Sequence, residues 1–276
     1  MMQPEQFFEL MIKELEVHSE MQPYYKFLGK PSSWHFRRNY FLERLRYIQK
    51  HLVTGNTTGR IPAIWDCGCG YGTTCLFLAM NGIATYGTTL EFYFETVKKR
   101  KEYWSRFGDT SLFNCTYENL FDQEPQPESF DWVIVQDTLH HLEPINDALR
   151  IFHSALRPGG KVLSIEENGS NVIQRLKLYK YRGNKRIITM YDEKLKKDIL
   201  LGNENIRSLK LWKTLFENNG FHIPKEDIRY VRFYLPVHYK LSSPDELLMK
   251  ERKIQTTPGI RREYFFFGLN FVAVKN

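Results

Sequence analysis

The sequence predicts an α/β protein built on a doubly wound, mostly parallel sheet. Three observations point there. Residues 62–79 read strand, tight loop, helix: an apolar run ends in Asp66, glycines alternate at Gly68, Gly70 and Gly72, and Cys75, Leu76, Phe77 and Leu78 open a helical pattern. From residue 61 to 165 strand-like and helix-like segments alternate, the order that lays helices on both faces of a parallel sheet. The run from Trp132 to Val135 is apolar without alternation, as in a strand covered on both faces.

Taken in order, residues 1–58 form a helical amino-terminal lid. Phe7, Phe8, Met11, Ile12 and Leu15 recur at helical spacing, and Tyr40, Phe41, Leu42, Leu45, Ile48 and Leu52 do the same. The stretch 22–38 between them is rich in aromatics, arginine and turn formers. Its Tyr25, Trp34, His35 and Arg38 either reach over a ligand or pack on the core. Residues 55–59 suit a linker into the main fold, 59–276.

After the glycine loop, a helix stops at Asn81-Gly82 and a second strand, 84–89, leads to Leu90, Glu91 and a long helix through Val97 and Tyr103. A third strand covers 112–116 and a fourth 130–135. Ile145, Leu149, Phe152 and Leu156 then mark one stripe of a helix that ends in Arg157-Pro-Gly-Gly160 before a fifth strand, 161–165. Residues 169–206 read as a polar, largely helical insertion, with Arg175, Lys177, Lys180, Arg182, Lys185 and Arg186 interleaved by Leu176, Leu178, Tyr179 and Tyr181. A helix through Leu209, Trp212, Leu215 and Phe216 follows. Two late strands, 228–235 and 264–274, flank a short helix around Glu246.

Composition narrows the function classes. In 276 residues, 42% hydrophobic and 15% aromatic content fit a globular core rather than a disordered chain. No apolar run approaches the roughly 20 residues of a membrane span, and the acid-containing start lacks signal-peptide features, so a cytoplasmic location is expected. Four cysteines in or near strands do not make a disulfide framework, and Cys67 and Cys69 lack a second ligand pair for zinc. The net charge of +7 permits an anionic partner without demanding one.

The loop itself holds a small charged ligand: alternate glycines allow a sharp turn and close approach, and the next helix offers unpaired amides. A dinucleotide fingerprint would need glycine at position 73, where Thr73 stands, so a nicotinamide oxidoreductase is disfavoured. Asp66-Cys-Gly-Cys-Gly-Tyr-Gly72 resembles the first motif of class I S-adenosylmethionine-dependent methyltransferases. Three further pieces are similar to that family in the right order: residues 130–142 with their histidine turn, Leu156-Arg-Pro-Gly-Gly160, and Ser164-Ile-Glu-Glu-Asn168. The agreement spans roughly residues 60–170. It implies a Rossmann-like, mostly parallel seven-stranded sheet with an antiparallel late strand, S-adenosyl-L-methionine as cofactor and S-adenosyl-L-homocysteine as product.

By position, the resemblance implies that Gly68 and Gly70 carry the methionine part with Asp66 nearby. The usual ribose acid is Thr89 here, and Glu91 stands two residues on. Tyr117 and Glu118 take the adenine position, as stacker and acceptor, and Gln136 and Asp137 border the sulfonium. His140 and His141 follow the fourth strand and either move a proton or pin the turn. Asp137, His140 and His141 align with divalent-ion positions of ubiquinone-type O-methyltransferases, but His140 replaces an acid and no metal is expected.

The implied reaction is methyl transfer to an oxygen or nitrogen of a small-molecule, possibly anionic acceptor. The lid and the insertion, with Tyr179 among its aromatics, are the expected acceptor-selecting segments. Alternatives are a catalytically silent cofactor-binding partner protein and an RNA methyltransferase. Nucleic-acid base methylation is disfavoured, because Gln136-Asp137-Thr138-Leu139 is not an Asn/Asp-Pro-Pro-aromatic turn and no Pro-Cys nucleophile is present.

Overall fold

The computed structural model describes residues 1–28, 31–54 and 61–276. Helix α1 (Pro4–Val17) buries Phe7, Phe8, Met11 and Leu15, as its spacing predicts. A single helical turn, α2 (Gln22–Tyr25), precedes α3 (Pro31–Ile48), which buries Leu42, Leu45 and Ile48. Because α3 starts earlier than its apolar spacing indicates, Trp34, His35 and Arg38 lie on this helix rather than between helices. The expected linker 55–59 lies outside the described residues.

Then β1 (Ile64–Cys67), α4 (Thr73–Ala79), β2 (Thr85–Thr89), α5 (Thr96–Trp104), β3 (Phe113–Tyr117), β4 (Phe130–Gln136), α6 (Ile145–Ala155) and β5 (Leu156–Glu167) follow in the expected alternation. Strands β1 to β5 pair in parallel. Adjacent residues on one strand enter opposite cores, which is what period-two geometry demands of a sheet covered twice. Ile64, Ile134 and Leu163 join the core under α1, α3, α4 and α5. Trp65, Val133 and Val162 join the other, under α6 and a later helix carrying Trp212.

The insertion differs from its reading. Helix α7 (Val172–Arg182) ends at Gly183, and an antiparallel hairpin, β6 (Ile187–Asp192) with β7 (Lys197–Gly202), replaces further helix. β-branched Ile187, Ile188 and Thr189 favour extended backbone, and the Asp192 carboxylate turns the chain by accepting from the amides of Lys194 and Leu195 at 2.9 and 2.8 Å.

The chain continues through α8 (Leu209–Asn218), β8 (Phe221–His222), β9 (Arg229–Val231), α9 (Pro244–Thr256), α10 (Ile260–Phe265) and β10 (Gly268–Lys275). The sheet order is β3-β2-β1-β4-β5-β10-β8, with β9 beside β10, and β10 is antiparallel to its neighbours. Both late strands are shorter than expected. β9 stops where Arg232 adopts a φ of 66°, and β10 begins only at Gly268, opposite Glu167, the last residue of β5. Residues before it have no strand of β5 to pair with and form α10 instead.

One buried ion pair ties the lid helices to this core. Arg100 on α5 donates from Nε and Nη2 to the two carboxylate oxygens of Glu14 on α1, at 2.8 and 2.7 Å, and both side chains are fully buried. Its Nη1 donates to the Tyr71 carbonyl and the Thr73 hydroxyl, at 2.8 and 2.7 Å. Arg100→Ala leaves Glu14 buried and uncompensated, and should cost about 3–5 kcal/mol in urea unfolding. The double replacement Glu14→Leu/Arg100→Met should cost clearly less; an equal loss would show that the pair is not the origin of the effect.

Candidate active site

The chain lays down β1, β2 and β3 in one direction and returns to place β4 on the other side of β1. The carboxyl ends of β1 and β4 therefore meet at the point of reversal, where open α/β sheets form their binding crevice. Three left-handed glycines follow β1, with φ of 81°, 55° and 72° at Gly68, Gly70 and Gly72. The amides of Gly68 and Cys69 donate to the Thr88 carbonyl at 2.8 and 2.9 Å, fixing the loop to β2. A Cβ at Gly68 would lie 2.4 Å from the Thr138 hydroxyl oxygen, so the turn after β4 reaches the loop only over a glycine.

Asp66 ends up buried beside this loop. Its Oδ2 accepts from the Cys75 thiol at 3.3 Å, while Oδ1 is buried with no partner. Burial pushes its carboxyl up to about 7. An orphaned carboxylate oxygen is costly unless a donor arrives, and the residues fit a ligand that brings an ammonium group.

The other residues expected here occupy the same crevice edge but already hold partners. Thr89, buried at the end of β2, accepts from the Glu91 amide at 3.2 Å, and the Glu91 side chain is exposed. The Tyr117 hydroxyl donates to Asp192 at 2.7 Å, with the Leu90 carbonyl oxygen 3.1 Å away as an alternative acceptor, which ties the β3 end to the insertion hairpin. Glu118 accepts from the Tyr86 hydroxyl at 2.9 Å. Gln136 donates to the Thr74 hydroxyl at 2.6 Å. Asp137, with a φ of 50°, pairs with Arg44 of α3 at 2.5 Å. Burial pushes its carboxyl up, but Arg44 and Arg232 outweigh that and hold it below the usual range.

Of the lid residues, Tyr25 is brought to the loop: its hydroxyl shares a hydrogen bond with Thr73. Tyr24 and Tyr25 pack on Tyr71, with ring centroids 5.2 and 5.8 Å away. Trp34 and Arg38 instead contact Phe8 within the helical layer, at 5.3 and 5.8 Å, and His35 is exposed. Tyr179 lines a separate groove on α7.

Glu166 organises the histidine turn. Its Oε1 accepts from the amides of Thr138 and Leu139, at 2.9 and 2.8 Å, and its Oε2 meets His140 Nδ1 at 2.5 Å. Burial works against a charge on His140, but Glu166 and Glu204 raise its pKa to about 9. His141 Nδ1 lies 2.9 Å from the Gly202 carbonyl oxygen, so it carries the proton and leaves the lone pair on Nε2. The hairpin backs this turn closely: a Cβ at Gly202 would lie 2.0 Å from the His140 carbonyl oxygen. His140, His141 and Glu204 each bring one ligand atom within 4.8 Å of the others, and Glu166 and Gly202 already hold the two rings.

A small cavity opens at the ends of β4, β5 and β10, lined by Tyr40, Arg44, Asp137, Glu166, Arg232 and Asn270 among others. Arg232 pairs with Glu167 at 2.5 Å, and the buried Asn270 Oδ1 has no partner. Sequence reading passed over Arg44, Arg232, Glu204 and Asn270. Arg44 is one of several arginines on its helix, and no local spacing marks the one that meets Asp137.

Residues 65–162 match a family model described as a methyltransferase domain. No curated protein sequence matches the chain. Among solved structures it is similar to an S-adenosylmethionine-dependent methyltransferase from Mesorhizobium loti, 16% identical over 83% of this chain and 98% of that one, TM-score 0.51. It is similar to a SAM-dependent methyltransferase from Methanosarcina mazei, 17% identical over 81% and 96%, TM-score 0.51. A third is the [4+2]-cyclase SpnF, 14% identical over 88% and 82%, TM-score 0.54. At such identities the likeness is one of fold.

Asp66 gives this site a pH signature. Its carboxyl ordinarily ionises near 3.8 but keeps its proton in the fold to about 7. The contribution to stability is therefore complete below the lower value and lost as pH rises through the upper one. Thermal unfolding of Asp66→Asn should gain on the parent protein across that window, by up to roughly 1.4 kcal/mol per pH unit. A constant difference between the two proteins would refute the buried, protonated carboxyl.

Proposed function

We propose that this protein, whose residues 65–162 match a methyltransferase-domain model on a fold shared with S-adenosylmethionine-dependent methyltransferases, uses S-adenosylmethionine to methylate an oxygen or nitrogen of a small, anionic acceptor. The observation that supports the acceptor reading is the cavity of about 30 Å³ beneath α3, where Arg44 and Arg232, paired with Asp137 and Glu167, stand at the ends of β4, β5 and β10 beside the unpartnered Asn270 oxygen, so that an entering anion exchanges with those carboxylates. Two guanidiniums suit a carboxylate or phosphate, and Asn270 accepts from a hydroxyl or amine.

The cofactor supplies a methyl group on a sulfonium, already a good leaving group. Asp66 Oδ1 takes its ammonium and the amides after Gly68 and Gly70 its carboxylate. Thr89 and Glu91 serve the ribose, Tyr117 and Glu118 the adenine, and Gln136 and Asp137 border the sulfur. The lid, residues 1–58, excludes water through Tyr24, Tyr25 and Arg44, while 59–276 form the core, with 169–206 as its insertion. Alignment and desolvation then carry most of the rate. His141 takes the acceptor's proton on Nε2, and His140, itself protonated at neutral pH, positions the turn through Glu166. Four cysteines without a disulfide-framework spacing favour a reducing, cytoplasmic setting.

The fold also serves a cyclase, so a protein that binds the cofactor without transferring its methyl group is the second reading. Calorimetry should detect S-adenosylhomocysteine binding that Asp66→Ala weakens. Incubation with labelled cofactor and a metabolite extract should then yield a labelled anionic product. On that product's precursor, His141→Gln should lower kcat by about 10²–10⁴-fold while sparing S-adenosylhomocysteine affinity, and Arg44→Ala should act mainly on KM. Binding without any labelled product would leave the second reading standing.

A further inference from the structure

Helix α7 is held to the protein by very little. Of its eleven residues only Leu178 is buried, although Val172, Ile173, Leu176, Tyr179 and Tyr181 are all large and apolar. Leu176 is 67% exposed and Tyr181 77%. The neighbouring hairpin continues the pattern, with Ile187, Tyr191 and Leu200 exposed on one face and Met190 exposed on the other, beside the buried Ile199. A solvated helix normally turns such residues inward, and a contiguous exposed apolar surface marks a contact.

Charge distribution identifies what covers it. Between Glu167 and Asp192 the sequence holds six cations, Arg175, Lys177, Lys180, Arg182, Lys185 and Arg186, and no acid. Among the described residues none of the six makes an ion pair. Along α7, Arg175, Leu176, Tyr179 and Arg182 line a groove of about 300 Å³ that Arg186 and Ile206 help to close. Arg182 Nε is buried there without a partner, and the nearby Arg186 lowers the Arg182 pKa further after burial does.

We propose that α7 and the β6–β7 hairpin form a peripheral docking face for an anionic phospholipid bilayer, with the arginine groove receiving a lipid phosphate. The partition of chemistry fits the interface: Leu176, Tyr181, Ile173 and Tyr191 enter the acyl boundary, while lysine and arginine stems reach headgroup phosphates. A second copy of the chain would set six cations against six. Among the described residues no helix is long and apolar enough to cross a membrane, so the contact is with the surface only. Because β7 also backs the His140–His141 turn, this face lies next to the acceptor end of the site. The inference concerns binding and does not depend on which acceptor is methylated.

Flotation of the full-length protein with phosphatidylcholine vesicles, with and without phosphatidylglycerol, tests it. Binding should be at least roughly tenfold stronger with the anionic lipid and should fall steeply with salt. Leu176→Ser/Tyr181→Ser and, separately, Lys177→Glu/Lys180→Glu should each abolish it, while S-adenosylhomocysteine affinity and the melting curve stay unchanged, as expected for exposed positions. Equal partition into both vesicle types would overturn the proposal. So would binding that survives both pairs of substitutions, or capture by polyuridylate or polyglutamate with no vesicle binding. Free inorganic phosphate that binds the groove while vesicles do not would also overturn it.

Discussion

Everything around the glycine loop depends on one buried guanidinium. Arg100 reaches from α5 to satisfy Glu14 on α1, the Tyr71 carbonyl inside the loop and the Thr73 hydroxyl at the start of α4. Burying such a charge is costly, and it is tolerated only when its donors are met. Four hydrogen bonds meet that condition, and they fix the loop at the same time as they fix the lid. Tyr25 shares the Thr73 hydroxyl, so the short helix over the loop belongs to the same network.

Glu166 plays the matching role at the other half of the crevice. One carboxylate takes two turn amides and the His140 ring, which sets the conformation of residues 138–140 and places Thr138 against Gly68. The two halves of the site therefore meet through a van der Waals contact that only a glycine admits. The hairpin presses on the same turn through Gly202, and Tyr117 fastens its tip to β3 through Asp192. Glycine loop, histidine turn and insertion hairpin are thus in continuous contact.

The readable parts of the sequence were those where a local pattern has one cheap solution. Alternating strand and helix, the Asp66-to-Gly72 loop and the unbroken apolar run of the fourth strand each specify backbone shape and burial within a few residues. The misread parts depended on distant partners. Residues 264–267 have the composition of a strand, but β5 ends at Glu167 and offers them no ladder. Residues 187–202 follow a charged helix and resemble its continuation until the Asp192 turn closes them into a hairpin. For Trp34 and Arg38 the sequence left ligand contact and core packing both open, and the pitch of α3 sets them against Phe8.

By itself the sequence determined the α/β class, the order of the first five strands and the left-handed glycine loop after β1, because glycine spacing and apolar periodicity are local and short-ranged. Tertiary structure alone decided that Asp66 is left with an orphaned oxygen, that Arg44 rather than its neighbours on α3 meets Asp137, and that Asn270 and Arg232 share a cavity with Glu166. Those residues are tens to hundreds of positions apart, and only the crossing of packed elements brings their charges within hydrogen-bonding range.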